Sequence, residues 1–516
     1  MPFLFFLRRN PTVKIEFLST LKLKVCLGFL LIFILFQSAF SQPISTAPPK
    51  IKLAVIIVFD QFRADYLTRF SPQYLPASLP QKKVGGFKYL MEQGANFIDC
   101  RFDHYPLYTA PGHAIVVTGG EPYKTLIVGN EWYDENQQKK VYAVSDPKFG
   151  LSPRNLGSTT LGDELKLSTE QKSKVVSISL KDRAAILLGG FTADEVFWFD
   201  SNHWVTSDFY GKHIPAWAEK VNDGLGKTKE DLVSPRGNEL TWNMAMEAVK
   251  NEKLGNHDVP DLLTINFASN DYVGHVYGPD SQEVKRMSIA SDRGLSAFLN
   301  FLNVSVPGGL KSILLVVTAD HGIGSLPEYL NSIRIPSERL DPQMTIKTVE
   351  DRLTLRFGEG PWVSSFIPPF MYLNPKTISH YSIEEATVEQ EAVDALSEEP
   401  SILAAYGRTQ IMKGALPRNE VSLSIEKSFV PLRSGELVIV PGANVIWSSP
   451  KSKEAVHESL YTYDTHVPLL LYGAGIKPGT YTEPVKPIDI APTVAYLLKT
   501  QFPSACEGKI LTEAIH

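Results

Sequence analysis

The chain has 516 residues and a formal net charge of −5, with 43% hydrophobic and 21% charged residues. Those fractions are ordinary for a globular protein, and the length admits a large α/β core carrying an insertion. The sequence lacks the basic clustering of a nucleic-acid binder, and no repeat period or low-complexity tract interrupts it.

The N-terminus carries the first signal. Arg8, Arg9, Lys14, Lys22 and Lys24 precede an apolar run from Val25 to Phe36, and Ala39-Phe40-Ser41 then places small residues before Gln42. A basic start, a short apolar stretch and a small-residue cleavage site predict a secretory signal peptide over residues 1–41. The alternative is a membrane anchor, but the run falls short of the ~20 apolar residues that a spanning helix needs. The expected mature protein, residues 42–516, is therefore exported to the periplasm or the medium without a membrane anchor. It retains two cysteines, Cys100 and Cys506, which belong to no thiolate metal motif, and the sequence leaves their pairing open.

Short apolar runs rich in β-branched residues predict buried strands at Lys52–Phe59, Lys174–Leu180, Leu262–Phe267, Ser312–Thr318 and Val467–Tyr472. Amphipathic stretches such as Glu239–Lys250 and Val284–Leu302 predict helices between them. Strands alternating with helices predict an α/β fold with a central, mostly parallel sheet flanked by helices. Prolines then recur between Gly322 and Asp464, and that span predicts an α/β insertion or cap over about 323–463. Within it, Ser382 with Glu385 three residues on predicts a capping box. The helix it opens would bury Val388, Ala392, Ala395 and Leu396 and end before Pro400, ahead of a strand at Glu436–Pro441.

The chemistry gathers at the ends of these strands. The first ends at Asp60; the third is followed by Asn270-Asp-Tyr-Val-Gly-His275; the fourth ends in Ala319-Asp-His-Gly322. Ligand and catalytic groups of open α/β sheets collect at the carboxyl ends of strands. A fourth piece, Asp464-Thr-His466-Val-Pro468, places its histidine before its strand, so His466 reaches that edge only if the strand runs antiparallel or the loop folds back. Each piece alone is ordinary, because an Asp after a strand is usually a turn or cap residue. His104, His113, His203, His213, His257, His380, His457 and His516 are read as structural. Carboxylate and imidazole ligands without thiolates suit zinc in open catalytic sites.

Thr109 stands in Tyr105-Pro-Leu-Tyr-Thr109-Ala-Pro-Gly-His113, where Pro111 predicts a helix start. A hydroxyl there sits where unpaired N–H groups attract an anion, although a threonine at that place is also a plain N-cap. A threonine hydroxyl is a poor nucleophile and needs a metal ion to activate it.

These ordered motifs, running from about residue 50 to the C-terminus, resemble the alkaline phosphatase superfamily, in particular secreted bacterial phosphate monoesterases related to nucleotide pyrophosphatases/phosphodiesterases. The resemblance implies two Zn²⁺ ions. Asp271, His275 and His466 would hold one; Asp60, Asp320 and His321 would hold the other, with Thr109 beside it as nucleophile and ligand. It also implies phosphate contacts from Asn130, Lys181 and Arg183. If the segment past Lys174–Leu180 is extended, Lys181 and Arg183 point the same way and can face one phosphate. Two zinc ions against three aspartates leave a net charge of +1, which favours a phosphate dianion.

The implied activity is broad phosphate monoester hydrolysis through a phosphothreonine. A phosphodiesterase would share the ligands and nucleophile, but the two cations suit the extra charge of a monoester. A sulfatase would need a Cys or Ser followed by a Pro-x-Arg pattern, and Thr109-Ala-Pro-Gly-His113 lacks the arginine. A non-catalytic binding protein on the same scaffold would be expected to have lost part of the set.

Overall fold

The computed structural model describes residues 50–225 and 230–516, so the expected signal peptide lies outside the described residues. Among them, no helix is long and apolar enough to cross a membrane.

Five strands position the site: β1 (Leu53–Phe59), β2 (Val175–Ile178), β3 (Asp261–Phe267), β4 (Ile313–Thr318) and β5 (His466–Gly473). Every residue of β1 through β4 is buried. Only strands covered on both faces can be apolar without alternation, which is why they read as continuous runs. They lie in a nine-stranded sheet whose order is Gly479–Tyr481, Ala95–Arg101, β5, β4, β1, β3, β2, Glu195–Asp200 and His203–Val205. β1 pairs in parallel with β3 and β4, β3 with β2, and β2 with Glu195–Asp200. β5 runs antiparallel to both β4 and Ala95–Arg101. Helices Pro235–Asn251 and Gln282–Ser305 cover the sheet with buried faces that include Leu240, Trp242, Leu295 and Phe298. The mostly parallel α/β core expected from the sequence is therefore present.

Between β4 and β5 the chain builds a second, four-stranded sheet in the order Val363–Ile367, Phe370–Leu373, Leu437–Pro441, Ile402–Gly407. Helices Pro342–Phe357 and Glu385–Ser397 pack on it around an apolar cluster of their own, including Val349, Leu353, Trp362, Val388 and Leu396.

One local expectation is corrected, and one question the sequence left open is answered. Ser382 does not open the helix Glu385–Ser397; its backbone is left-handed at φ 54° and closes the preceding helix, Pro375–Tyr381, while the N-cap of the next helix is Glu384, without a side-chain cap. Cys100 and Cys506 are both free thiols; Cys100 is buried inside its strand.

Candidate active site

Three helices start at the carboxyl edge of the parallel strands and carry the polar groups there: α1 (Thr109–Thr118), α2 (Asp182–Gly189) and α3 (Ser269–Tyr277). α1 begins at Thr109 itself, with Tyr108 as its N-cap. It packs hard against the end of β4. A Cβ at Gly112 would lie 2.4 Å from the Asp320 carbonyl oxygen, so glycine is what lets α1 lie this close to the residue that follows β4.

Asp60, Asp320 and His321 are each 0% exposed, and Thr109 1%. His321 Nε2 lies 3.6 Å from Asp60 Oδ1 and 3.3 Å from Asp320 Oδ2. On α3, Asp271 and His275 are one turn apart and face each other, with Nε2 3.1 Å from Oδ1. The structure brings together in this way six of the seven residues expected to form the metal centre.

It does not bring His466. The first condition is met, since β5 is antiparallel and starts at the correct edge. But His466 pairs with Arg101 on the neighbouring strand, and its Nε2 lies 2.9 Å from the Ile98 carbonyl oxygen. The third histidine at the site is His457, which the sequence reads as structural. The loop before β5 folds over the sheet edge and buries it, with Nδ1 2.8 Å from the Leu107 carbonyl oxygen. Its ring stacks on His321 and comes within 5.2 Å of His275, and Nε2 faces Asp271 Oδ1 at 3.9 Å. Asp271, His275 and His457 thus form one cluster with metal-ligand spacing; Asp60, Asp271 and His321 form another, and Asp60, His113 and Asp320 a third. The sequence signal for His457 was weak, because it lies in a polar loop far from any predicted strand end. His113, also read as structural from the sequence, has Nδ1 2.7 Å from the Thr109 carbonyl oxygen and 3.3 Å from Asp320 Oδ2.

Lys181 reaches the centre of the group. Its ammonium donates to Asp271 Oδ2 at 2.7 Å, Asp60 Oδ2 at 2.9 Å and Thr109 Oγ1 at 3.4 Å. Arg183 adjoins it by a different geometry from the one expected. Lys181 is extended and forms the N-cap of α2, but Arg183 already lies in the first turn of that helix. Its Nη1 donates to the Tyr142 hydroxyl at 3.4 Å, and that hydroxyl donates to Asp182 Oδ1 at 2.5 Å. Asn130 Oδ1 accepts from the Ala110 N–H at 2.9 Å, which fixes its carboxamide beside the start of α1.

The charges respond to one another. Burial, with the neighbouring Asp320 carboxylate, pushes Asp60 up to about 6. Burial acts in the same direction on Asp320, but His321 and His113 hold it below the usual carboxylate range. Burial is likewise outweighed at Asp271, which His275 and Lys181 hold well down. Burial disfavours charge on His275, yet Asp271 raises it to about 9, whereas burial and the adjacent His321 depress His457. Burial also works against the charged form of Lys181, and the Asp271 and Asp60 carboxylates overcome it. Asp60 Oδ1, Asp320 Oδ2, His321 Nε2 and His113 Nε2 are buried without any hydrogen bond. Unpaired buried acceptors of this kind are costly, and a divalent cation satisfies oxygen and imidazole donors together. The residues present fit such an ion.

A model of the type I phosphodiesterase / nucleotide pyrophosphatase family matches residues 54–466. Among curated proteins, the alkaline phosphatase PafA of Elizabethkingia meningoseptica is 32% identical over 91% of this chain and 96% of its own length. The alkaline phosphatase PhoV of Synechococcus elongatus is 30% identical over 92% and 94%. The crystal structure of PafA superposes with a TM-score of 0.84, covering 91% of this chain and 100% of PafA. Murine ectonucleotide pyrophosphatase/phosphodiesterase 5 shares the fold at 16% identity, with a TM-score of 0.55 over 87% of this chain and 95% of its own.

Proposed function

The chain belongs to the type I phosphodiesterase / nucleotide pyrophosphatase family, and on that premise we propose that it is an alkaline phosphatase, a broad phosphate monoester hydrolase using two zinc ions and a phosphothreonine at Thr109. The observation that carries the reading is the convergence of the Thr109 hydroxyl, the Lys181 ammonium and the buried Asp60 and Asp271 carboxylates within hydrogen-bonding range.

Asp271, His275 and His457 would hold one ion; Asp60, Asp320 and His321 would hold the other, with Thr109 beside it. When bound, such ions supply the positive charge that lowers the pKa of a hydroxyl or water and stabilises a departing oxygen. The protein's own contribution is placement. α1 presents Thr109 at its N-terminus, where the free backbone N–H groups favour a phosphoryl anion. Asn130, already held by the Ala110 N–H, has its amide nitrogen left to donate to a phosphoryl oxygen. Lys181 and Arg183 add two charges that burial has not discharged. Thr109 Oγ forms the bond to phosphorus as the ester oxygen leaves, and water then cleaves the phosphothreonine to release phosphate.

The matched family description favours a second reading, phosphodiester or pyrophosphate hydrolysis at the same site. Lys181 and Arg183 discriminate, because a monoester carries one more anionic oxygen for them to meet. Initial rates on a monoester, a diester and a sulfate ester sharing one leaving group test the assignment. A monoester preference is expected; a diester preference would transfer the reading to the second activity.

We further read residues 1–41 as an export signal. Terminal sequencing of the protein secreted from its host should then begin at Gln42.

A further inference from the structure

The residue that follows Asp60 is Gln61, and it is only 2% exposed. Its backbone is left-handed at φ 64°, a conformation that side chains rarely adopt and glycine adopts freely. In that conformation it makes two bonds that no sequence pattern announces. The Gln61 backbone N–H donates to Asp320 Oδ1 at 3.1 Å, and Gln61 Nε2 donates to Asp271 Oδ1 at 2.7 Å. Asp320 comes from the end of β4 and Asp271 from α3, so one residue of the β1 loop holds a carboxylate from each of the two groups.

A carboxylate oxygen has two lone-pair directions, and a donor on one of them fixes where the other points. At Asp320 the bond to Oδ1 leaves Oδ2, which has no hydrogen bond and faces His321 Nε2 at 3.3 Å. At Asp271 the bond shares Oδ1 with His275 Nε2, 3.1 Å away. Helix α3 accommodates this carboxamide at one position. A Cβ at Gly274 would lie 1.7 Å from Gln61 Oε1 and 2.9 Å from its Cδ, so the glycine within Asp271-Tyr-Val-Gly-His275 leaves the room that Gln61 fills.

We propose that Gln61 is a positioning residue: its main-chain and side-chain donors fix the Asp320 and Asp271 carboxylates relative to each other and thereby set the separation of the two metal ions, with Gly274 as the contact that holds the carboxamide in place. The proposal rests on the two-metal reading above. Partners that orient metal ligands typically change metal affinity or activity by about 10–100-fold when removed.

The test uses metal-depleted full-length protein, zinc as the probe and a chelator in competition, with thermal unfolding of the metal-free form measured alongside. Gln61→Gly removes the side chain and relieves the left-handed backbone. It should unfold no lower than the parent without metal, yet bind zinc about 10–100-fold more weakly. Gln61→Met keeps the length and the strain but not the donor, and should lose zinc affinity to a similar degree. Gly274→Ala should weaken zinc binding in the parent and add little in the Gln61→Gly background, since the contact it disturbs is then gone. Parent-like zinc affinity in both Gln61 variants would overturn the proposal, as would an undiminished Gly274→Ala effect after Gln61 is removed. A parent that binds no zinc at all would instead overturn the two-metal reading, and this inference with it.

Discussion

The imidazole rings of His321 and His457 stack with their centroids 3.6 Å apart and their planes inclined by 20°. One ring comes from the end of a central strand and the other from the loop that precedes β5, so the stack closes the candidate metal site across the edge of the sheet. The contact also accounts for the depressed basicity of His457, which burial and a neighbouring imidazole both keep neutral and available as a ligand.

His457→Ala should therefore remove one zinc ion per chain and lower monoester turnover by about 100-fold or more. His466→Ala should retain both ions and a rate within about twofold of the parent, because its ring is engaged with the Ile98 carbonyl on the far side of β5. Metal analysis of the two purified variants separates the assignments; the reverse pattern would restore His466 to the site.

Thr109→Ala should keep the fold and the metals while abolishing the phosphoenzyme, with turnover falling by roughly 10³-fold or more. Acid-quenching the parent with labelled phosphate and mapping the label is the direct measurement. Label on any residue other than Thr109 would require a different nucleophile.

Lys181→Ala combined with Arg183→Ala should cost a monoester on the order of 10²–10⁴ in rate, since hydrogen bonds to charged groups contribute about 1.5–3 kcal/mol each. The loss on a matched diester should be much smaller. Parallel kinetics on aryl mono- and diesters would show this as a compressed preference, and equal losses would assign the pair to general structure.

A fourth expectation concerns stability. Glu121 Oε2 lies 3.8 Å from His104 Nδ1, both groups are buried, and neither makes a hydrogen bond there. Burial, reinforced by the Asp103 carboxylate, pushes Glu121 up to about 9, while burial drives His104 down to about 3. A carboxyl that binds its proton more tightly folded than unfolded stabilises the protein fully below the ordinary glutamate range. That stability is lost as pH rises toward about 9. Glu121→Gln should accordingly lose less stability than the parent between pH 6 and 9, by on the order of a few kcal/mol. Denaturant melts at the two pH values check it, and parallel slopes would show that Glu121 ionises freely.

The amino-acid sequence by itself determined the strands and the residues at their ends. A strand buried on both faces must be continuously apolar, so its last residue is visible; Asp60, Asp320 and His321 stand just past such runs, and Asp271 and His275 lie in the helix that opens after one. Thr109 was legible for a similar reason, because the Ala-Pro-Gly that follows it marks a helix start. Tertiary structure decided what lies between local signals. His457 enters the site only because a long connection folds over the sheet edge, and such a path leaves no periodicity in the chain. Ser382 followed the local rule for a cap and was overruled by the left-handed end of the helix before it. Gln61 reads as an unremarkable polar residue until its left-handed backbone turns one donor toward β4 and another toward α3. Hydrogen bonds between residues more than two hundred positions apart depend on where three strands are placed, and no local propensity encodes that distance.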